Sequence, residues 1–285
     1  MPSRCCIVVH VGAGTHGESK VKRYKQAMRN ACQLAIEKLR AGHPAHEVVE
    51  SAIRVLEDDP VTNAGIGSNL NRLGQVECDA AIMATHPDAF GAVGAIEAIR
   101  NPIEAAHAVM LKSSQVGHGA DEWARSNSVV TDDNVRHKIT EEAMHKYETY
   151  MKQVTADKAD AVNDEAMQDT VGAVCIDMEG DACAGVSSGG IALKLPGRVG
   201  EAAMFGCGCW AERSTKSDAV ACSVTGTGEQ IMRVMLAREC AQKRGDMFTV
   251  LNQCFAAQIG VGTAAGILTR GILLPGPVEN TSAVG

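Results

Sequence analysis

The stretch Asp169-Thr170-Val171-Gly172-Ala173-Val174 constrains this chain more than any other. A long polar, helix-prone segment ends there, and an apolar run rich in β-branched residues begins with a threonine in first place. A threonine at the head of a buried strand is an ordinary strand residue while the chain is continuous. If the chain is cut just before it, the same residue carries a hydroxyl nucleophile and a free α-amine that can take its proton. From the residues alone both readings stand.

The surroundings narrow the choice. The 285 residues are 45% hydrophobic and 21% charged, which fits one large globular domain or two small ones. Aromatics make up only 3% while glycines number 29, so the core must be built from Ala, Val, Ile, Leu, Met and Cys. That composition suits closely layered sheets and helices better than a box of aromatic rings. The net charge of −7 argues against a nucleic-acid partner. No apolar run is long enough to span a membrane, and the N-terminus lacks the layout of a secretory signal, which points to the cytoplasm.

The 11 cysteines are an odd number spread through apolar runs, and are expected to be reduced core thiols. Cys207-Gly208-Cys209 has no second pair at zinc-ligand spacing, so no metal site is expected. All nine histidines precede Thr170. A serine or cysteine hydrolase whose base follows its nucleophile is thereby excluded for the second half, and no H-E-x-x-H motif occurs.

Along the chain, residues 5–10 form a short β-rich run that enters Gly12-Ala13-Gly14-Thr15-His16-Gly17. These glycines satisfy G-x-G-x-x-G, yet two helical patterns follow directly where a dinucleotide fold needs a parallel strand tipped with an acid, so that reading fails. The segment from Leu56 to Gly67 reads as a turn-rich, solvated loop. Strands are expected at 76–83 and 90–96, helices at 102–111 and around 120–124, and an exposed, partly helical or disordered linker over 126–168. A cut at its end would cost the core little. Beyond it come strands at 171–178 and 182–187 joined by a hairpin-type turn, and a strand at 219–224. One amphipathic helix follows over 231–241, then a weaker helix at 247–257 and a final strand at 262–268.

Five motifs occur in a telling order: His10-Val11-Gly12-Ala13-Gly14, Asn63-Ala64-Gly65-Ile66-Gly67, Asp169-Thr170-Val171-Gly172-Ala173-Val174, Gly197-Arg198-Val199-Gly200 and Thr225-Gly226-Thr227-Gly228-Glu229. In this the chain resembles the plant-type asparaginases and isoaspartyl peptidases, which are N-terminal-nucleophile (Ntn) hydrolases. It is most similar to their threonine aspartase (taspase) branch, through Glu18-Ser19-Lys20, Ser187-Ser188-Gly189-Gly190, Gly206-Cys207-Gly208-Cys209-Trp210-Ala211-Glu212, and Asp169 before the threonine. The resemblance implies one α/β domain over 1–285, a four-layer αββα sandwich. It implies self-cleavage between Asp169 and Thr170 into an α part (1–169, with 126–169 a flexible linker) and a β part (170–285).

By resemblance, Thr170 is the nucleophile, its α-amine titrating near ~7.7–8.0, close to working pH. Ser188 matches the hydroxyl that hydrogen-bonds it. Thr225 and Gly226 match the oxyanion hole, each such donor being worth roughly 2.7–4 kcal/mol. Arg198 matches the clamp on the substrate carboxylate, and Asn63 an asparagine near the nucleophile. Gly12 lies in the first glycine loop beside the substrate, and Lys20 matches a lysine that supports processing in the aspartase branch. The asparaginases place an aspartate three residues after the arginine, to receive the substrate's free α-amine; here that residue is Glu201.

No cofactor is implied, apart from a structural sodium on the carbonyls from Leu56 to Ile66. The implied activity is an endopeptidase that cuts protein substrates, transcription regulators among them, after aspartate. The alternatives are an L-asparaginase/isoaspartyl peptidase and an inactive, truncated homologue that acts as a binding partner. The implied assembly is an αβ unit that pairs into an (αβ)2 dimer. The family continues well past the position of Leu268, whereas residues 271–277 here read as turn, which predicts a C-terminal sheet short of strands. The linker also lacks the basic run that would direct import into the nucleus, the second compartment the aspartase branch suggests.

Overall fold

The computed structural model describes residues 5–13, 18–112, 126, 135–155, 170–215, 218–242 and 267–274. Short, almost wholly apolar runs produce its central sheet, successive side chains entering cores on opposite faces. β1 (Cys5–Ala13), β2 (Cys78–Thr85), β3 (Asp88–Ile96), β4 (Val171–Ile176), β5 (Ala182–Ser188) and β8 (Ile267–Leu274) pair antiparallel in the order β3-β2-β5-β4-β1-β8. One face carries Ile7, Val9, Ala80, Ile82, Val171, Ala173 and Cys183 into the main core. Helices α1 (Glu18–Arg40), α2 (Ala45–Glu57) and α3 (Pro102–Lys112) cover it, α1 on β1 and β8, α2 on β4 and β5, α3 on β2 and β3.

The opposite face carries Ala81, Met83, Val174, Ala184 and Val186 against a two-stranded sheet of β6 (Cys209–Thr215) and β7 (Asp218–Ser223). Behind that sheet pack the short helices α5 (Gly228–Val234) and α6 (Leu236–Gln242). The layers are therefore helix, sheet, sheet, helix, as expected.

Four expectations need correction. The helix over 231–241 is two helices, because Met235 adopts a left-handed conformation (φ 48°) that interrupts the hydrogen-bond ladder. The loop from Leu56 to Gly67 is not a solvated connection: Val61, Thr62, Asn63 and Ala64 are all buried. The 126–168 segment contains a 3-10 turn (Val135–Lys138) and a helix, α4 (Glu141–Thr155), that packs on the body. Lys138 is fully buried, its Nζ donating to the carbonyls of Glu97 and Ile99, while Met144 and Tyr147 lie against Leu70, Val76 and Cys78. Its sparse apolar positions sit on one helical face, which a count of polar residues conceals.

The fourth concerns the C-terminal end, where residues 267–274 form a strand that lies along β1 rather than a turn, with Ile7 opposite Ile272. The second sheet has two strands among the described residues. The expected helices around 120–124 and at 247–257, the polar residue Asp169, and the first-loop residues Gly14 to Gly17 lie outside the described residues. The ten described cysteines are all free and buried.

Two features of this packing are testable. A Cβ on Gly91 would overlap the backbone of Ala106 and Met110, so β3 and α3 approach as closely as they do only because that position is glycine. Gly91→Ala is expected to destabilise the fold by about 1–3 kcal/mol, the usual cost of overpacking, read as a lowered Tm. The second feature is Glu57, fully buried at the end of α2, where Oε1 accepts the Ile103 amide (2.9 Å) beside Asn101 and the Ser187 hydroxyl. Burial pushes this carboxyl up to about 8, from 4.5, so it is neutral at pH 7. Its stabilising contribution is complete below the unfolded value and is lost as pH rises through the folded one. Thermal melts across pH 5–9 are expected to show Glu57→Gln losing at least about 1 kcal/mol less than wild type over that range.

Candidate functional site

Thr170 stands at the head of β4, on the inner face between the two sheets, and is 4% exposed. β4 is paired on both sides, with β1 and with β5, so its backbone is held in the middle of the sheet. β5 ends in Ser188, two residues from Val186 and so on the same inner face. The two hydroxyls meet, Thr170 Oγ1 lying 3.1 Å from Ser188 Oγ. The Ser188 oxygen also accepts the Gly190 amide at 3.0 Å, which sets the turn that follows.

The third group at the threonine is Glu201. It opens a 3-10 turn (Glu201–Ala203) after Gly200, is buried, and accepts the Thr170 hydroxyl on Oε1 at 2.9 Å. Burial, with the nearby Asp79 carboxylate adding to it, raises the Glu201 pKa. The hydrogen bond from Thr170 and the positive charge of Arg198 oppose that rise. Its other oxygen faces the start of α5, where a Cβ on Gly228 would sit 2.8 Å from Oε2. Glycine at that position leaves the carboxylate its place.

Arg198 reaches the same corner. Its Nη2 donates to Glu229 Oε1 at 2.5 Å, and its guanidinium passes beside Gly190 and Gly200. Glu229 is largely exposed, and its pairing with Arg198 holds its pKa below the usual carboxylate range. A carboxylate is thus already seated on the proposed clamp, drawn from the protein's own surface.

Underneath lies Asp79, fully buried on β2 directly opposite Ser188 in the strand register. It accepts the Gly200 amide (2.7 Å) and the Ala95 amide (2.8 Å), tying the loop that bears Arg198 and Glu201 to the sheet. Burial raises its pKa, while the charges of Lys194 and Arg198 pull the other way. Lys194, also buried, donates to the Glu77 carbonyl at 2.7 Å.

On the other side of the threonine is His10 of β1, paired in register with Gly172. Its Nε2 lies 2.9 Å from Ser223 Oγ, the ring also hydrogen-bonds the Thr170 backbone, and burial pushes its pKa down to about 4. Ser223 in turn donates to the Gly185 carbonyl (3.1 Å), so this neutral pair fastens β1 and β5 to the end of β7. Gly12 (φ 123°) lies two residues beyond His10, and Thr225 and Gly226 (φ 146°) follow just after Ser223. Thr225 is buried.

Asn63 acts on the Ser188 turn. Its Oδ1 accepts the Asn69 amide (2.8 Å), its Nδ2 donates to the Gly190 carbonyl (3.0 Å), and its own carbonyl accepts the Gly189 amide (2.8 Å). The structure thus brings Thr170, Ser188, Glu201 and Arg198 together and places Asn63 behind them. Lys20 pairs with Glu142 of α4 and borders a cavity of about 30 Å³ that it shares with Asn63, Asn69 and Lys146. Asp79 and Ser223 were not singled out from the sequence, and His10 and Glu229 entered only as members of the ordered motifs. An aspartate or histidine inside an apolar run is the signal that marks Asp79 and His10.

In the loop from Leu56 to Ile66 the carbonyls turn inward on Thr62. Its hydroxyl donates to the Leu56 carbonyl at 2.7 Å, with those of Asp59 and Ala64 at 3.2 and 3.4 Å. The loop is closed on its own hydroxyl. Among the described residues no cluster of His, Cys, Asp or Glu could hold a metal, and no helix is long and apolar enough to cross a membrane.

A buried hydroxyl flanked by a second hydroxyl and a carboxylate, with a guanidinium beside them, can attack an acyl carbon next to a bound carboxylate. The profile of the family described as Asparaginase matches residues 3–258. The chain is 38% identical over 236 residues to the isoaspartyl peptidase/L-asparaginase of Homo sapiens, covering 81% of this chain and 74% of that one. It is 37% identical to the protein of the same name from Bos taurus, with the same coverage, and 34% identical over 255 residues to the isoaspartyl peptidase of Escherichia coli, covering 84% and 76%. The chain belongs to the asparaginase family and has its Ntn-hydrolase fold.

Proposed function

We propose that this chain is a threonine-type Ntn hydrolase of the isoaspartyl peptidase/L-asparaginase kind, with Thr170 as nucleophile. The observation that carries the reading is the buried Thr170 hydroxyl within 2.9 Å of Glu201 and 3.1 Å of Ser188, at the head of a central strand. The names of the relatives support the substrate class. Cleavage before Thr170 frees its α-amine, which titrates near ~7.7–8.0 and takes the hydroxyl proton as the oxygen attacks. The Thr225 hydroxyl and the Gly226 N–H stabilise the oxyanion. Arg198 holds the substrate carboxylate in place of Glu229, and Glu201 faces the substrate's α-amine. Collapse expels the amine or ammonia, and water then releases aspartate from Oγ1.

A second reading, an endopeptidase cutting after aspartate, rests on two observations. The bond that self-cleavage would break follows an aspartate, Asp169. The acid after Arg198 is the longer Glu201, and it is turned onto Thr170 rather than left open for an amine. In that reading the partners are protein substrates, transcription regulators among them. An αβ unit that pairs into an (αβ)2 dimer is common to both readings.

The test is a substrate comparison. Release of ammonia from asparagine, or of free aspartate from an isoaspartyl dipeptide, supports the first reading. Scission of a peptide only after an internal aspartate would replace it with the second. For whichever substrate is cleaved, Arg198→Ala is expected to raise KM by roughly 10–100-fold, the worth of hydrogen bonds to a charged group. Thr170→Ala is expected to abolish turnover.

A further inference from the structure

Self-cleavage poses a chemical problem that turnover does not. While residues 169 and 170 are joined, the Thr170 nitrogen is an amide and cannot act as a base, so the proton on Oγ1 needs another acceptor. Ser188, the nearer hydroxyl, is neutral and its oxygen already accepts the Gly190 amide. His10 is held neutral with Nε2 on Ser223, and its contact with Thr170 is to the backbone. Arg198 and Lys194 are cations. Among the described residues the carboxylate in contact with Oγ1 is Glu201, at 2.9 Å and already accepting that proton in a hydrogen bond.

We propose that Glu201 is a catalytic residue of activation, the general base that converts the continuous chain into the two-part enzyme. The inference rests on the reading of Thr170 as an Ntn nucleophile and adds to it the group that starts the reaction. Glu201 Oε1 takes the proton from Oγ1 as Oγ1 bonds to the carbonyl carbon of the 169–170 peptide, the carbonyl electron pair moving onto its oxygen. As that pair returns, the C–N bond breaks and the proton passes from Glu201 to the leaving Thr170 nitrogen. The product is an ester between residue 169 and Oγ1 together with a free α-amine. One water hydrolyses the ester, giving a carboxylate on 169 and restoring the Thr170 hydroxyl. Glu201 ends as it began, and the base for later turnovers is the new amine.

The surroundings suit a base. Facing Glu201 are Asp79 from β2, Arg198 from its own loop, and the Cys207 thiol, whose own pKa is raised by burial first and then by Glu201, while Glu229 of α5 pairs with Arg198. Burial and Asp79 make the carboxylate more basic than an exposed one, which favours proton transfer. The Gly228 position leaves Oε2 in place without a side chain to push it aside.

The experiment follows full-length precursor, made by cell-free synthesis, by gel and intact mass over time at pH 4–8. Wild type is expected to cleave faster as pH rises through the Glu201 titration, which burial moves upward from that of an exposed carboxylate. Glu201→Gln, with nearly the same shape and no basic oxygen, is expected to slow cleavage about 100-fold or more and to lose that rising limb. Glu201→Asp, which keeps a base on a shorter arm, is expected to cleave slowly and keep the limb. A Gln variant that cleaves at the wild-type rate with the same pH profile overturns the proposal. If the Gln variant does not melt as a folded protein, the wild-type profile decides, and a rate that rises nowhere between pH 4 and 8 overturns it equally. Wild type that never cleaves contradicts the Ntn reading itself, which separates the two failures.

Discussion

The hydrogen bond from Thr170 Oγ1 to Glu201 is the contact around which the rest of the molecule is arranged. It joins the head of a central strand to a loop some 30 residues later, inside the seam between two sheets. Burying a carboxylate there raises the free energy of its charged form, and the raised pKa of Glu201 is the sign of it. Asp79, a second buried acid, shares the same pocket, so the site concentrates negative charge in a place of low dielectric. Arg198 and Lys194 offset part of that charge. Such a cluster holds only where the backbone amides and cations around it are fixed, and the Asp79 bonds to Gly200 and Ala95 do that fixing.

The layered fold serves this seam. Helices α1 to α3 fill one face of the six-stranded sheet chiefly with Ala, Val, Ile and Leu, with buried polar groups such as Glu57, Ser51 and Asp177 held by hydrogen bonds among them. The other face can then hold His10, Asp79, Thr170 and Ser188 at its end while Ala81, Val174 and Val186 pack against β6 and β7. The buried residues that meet in the seam are mostly small, Ala and Val above all, in keeping with the scarcity of aromatic rings in the composition.

Much of this was legible in the residues. Apolar, β-rich runs marked the strands β1, β2, β4 and β5, and the ordered glycine motifs carried Thr170, Ser188, Asn63 and Arg198 to one fold. What was hidden depends on pairings distant in the chain. His10 and Ser223 are separated by 213 positions, and only the packing of β7 over the β1–β4 pair brings them together at Gly172. Asp79 gave no sign of its role, because its partners Ala95 and Gly200 come from β3 and from a loop more than 100 residues further on. The break at Met235 was invisible because a single left-handed residue leaves the apolar periodicity on either side intact. α4 was read as linker for a related reason: it docks by a few contacts, Lys146 to Asn69 and Tyr147 on the Leu70 cluster, within a strongly charged sequence.

The most direct measurement is intact mass and N-terminal sequencing of the purified wild-type protein. Two fragments, the second beginning Thr170-Val171-Gly172, are the result expected if a buried hydroxyl acquires its own amine. A polypeptide that remains continuous through residues 169 and 170 while hydrolysing its substrate would contradict it.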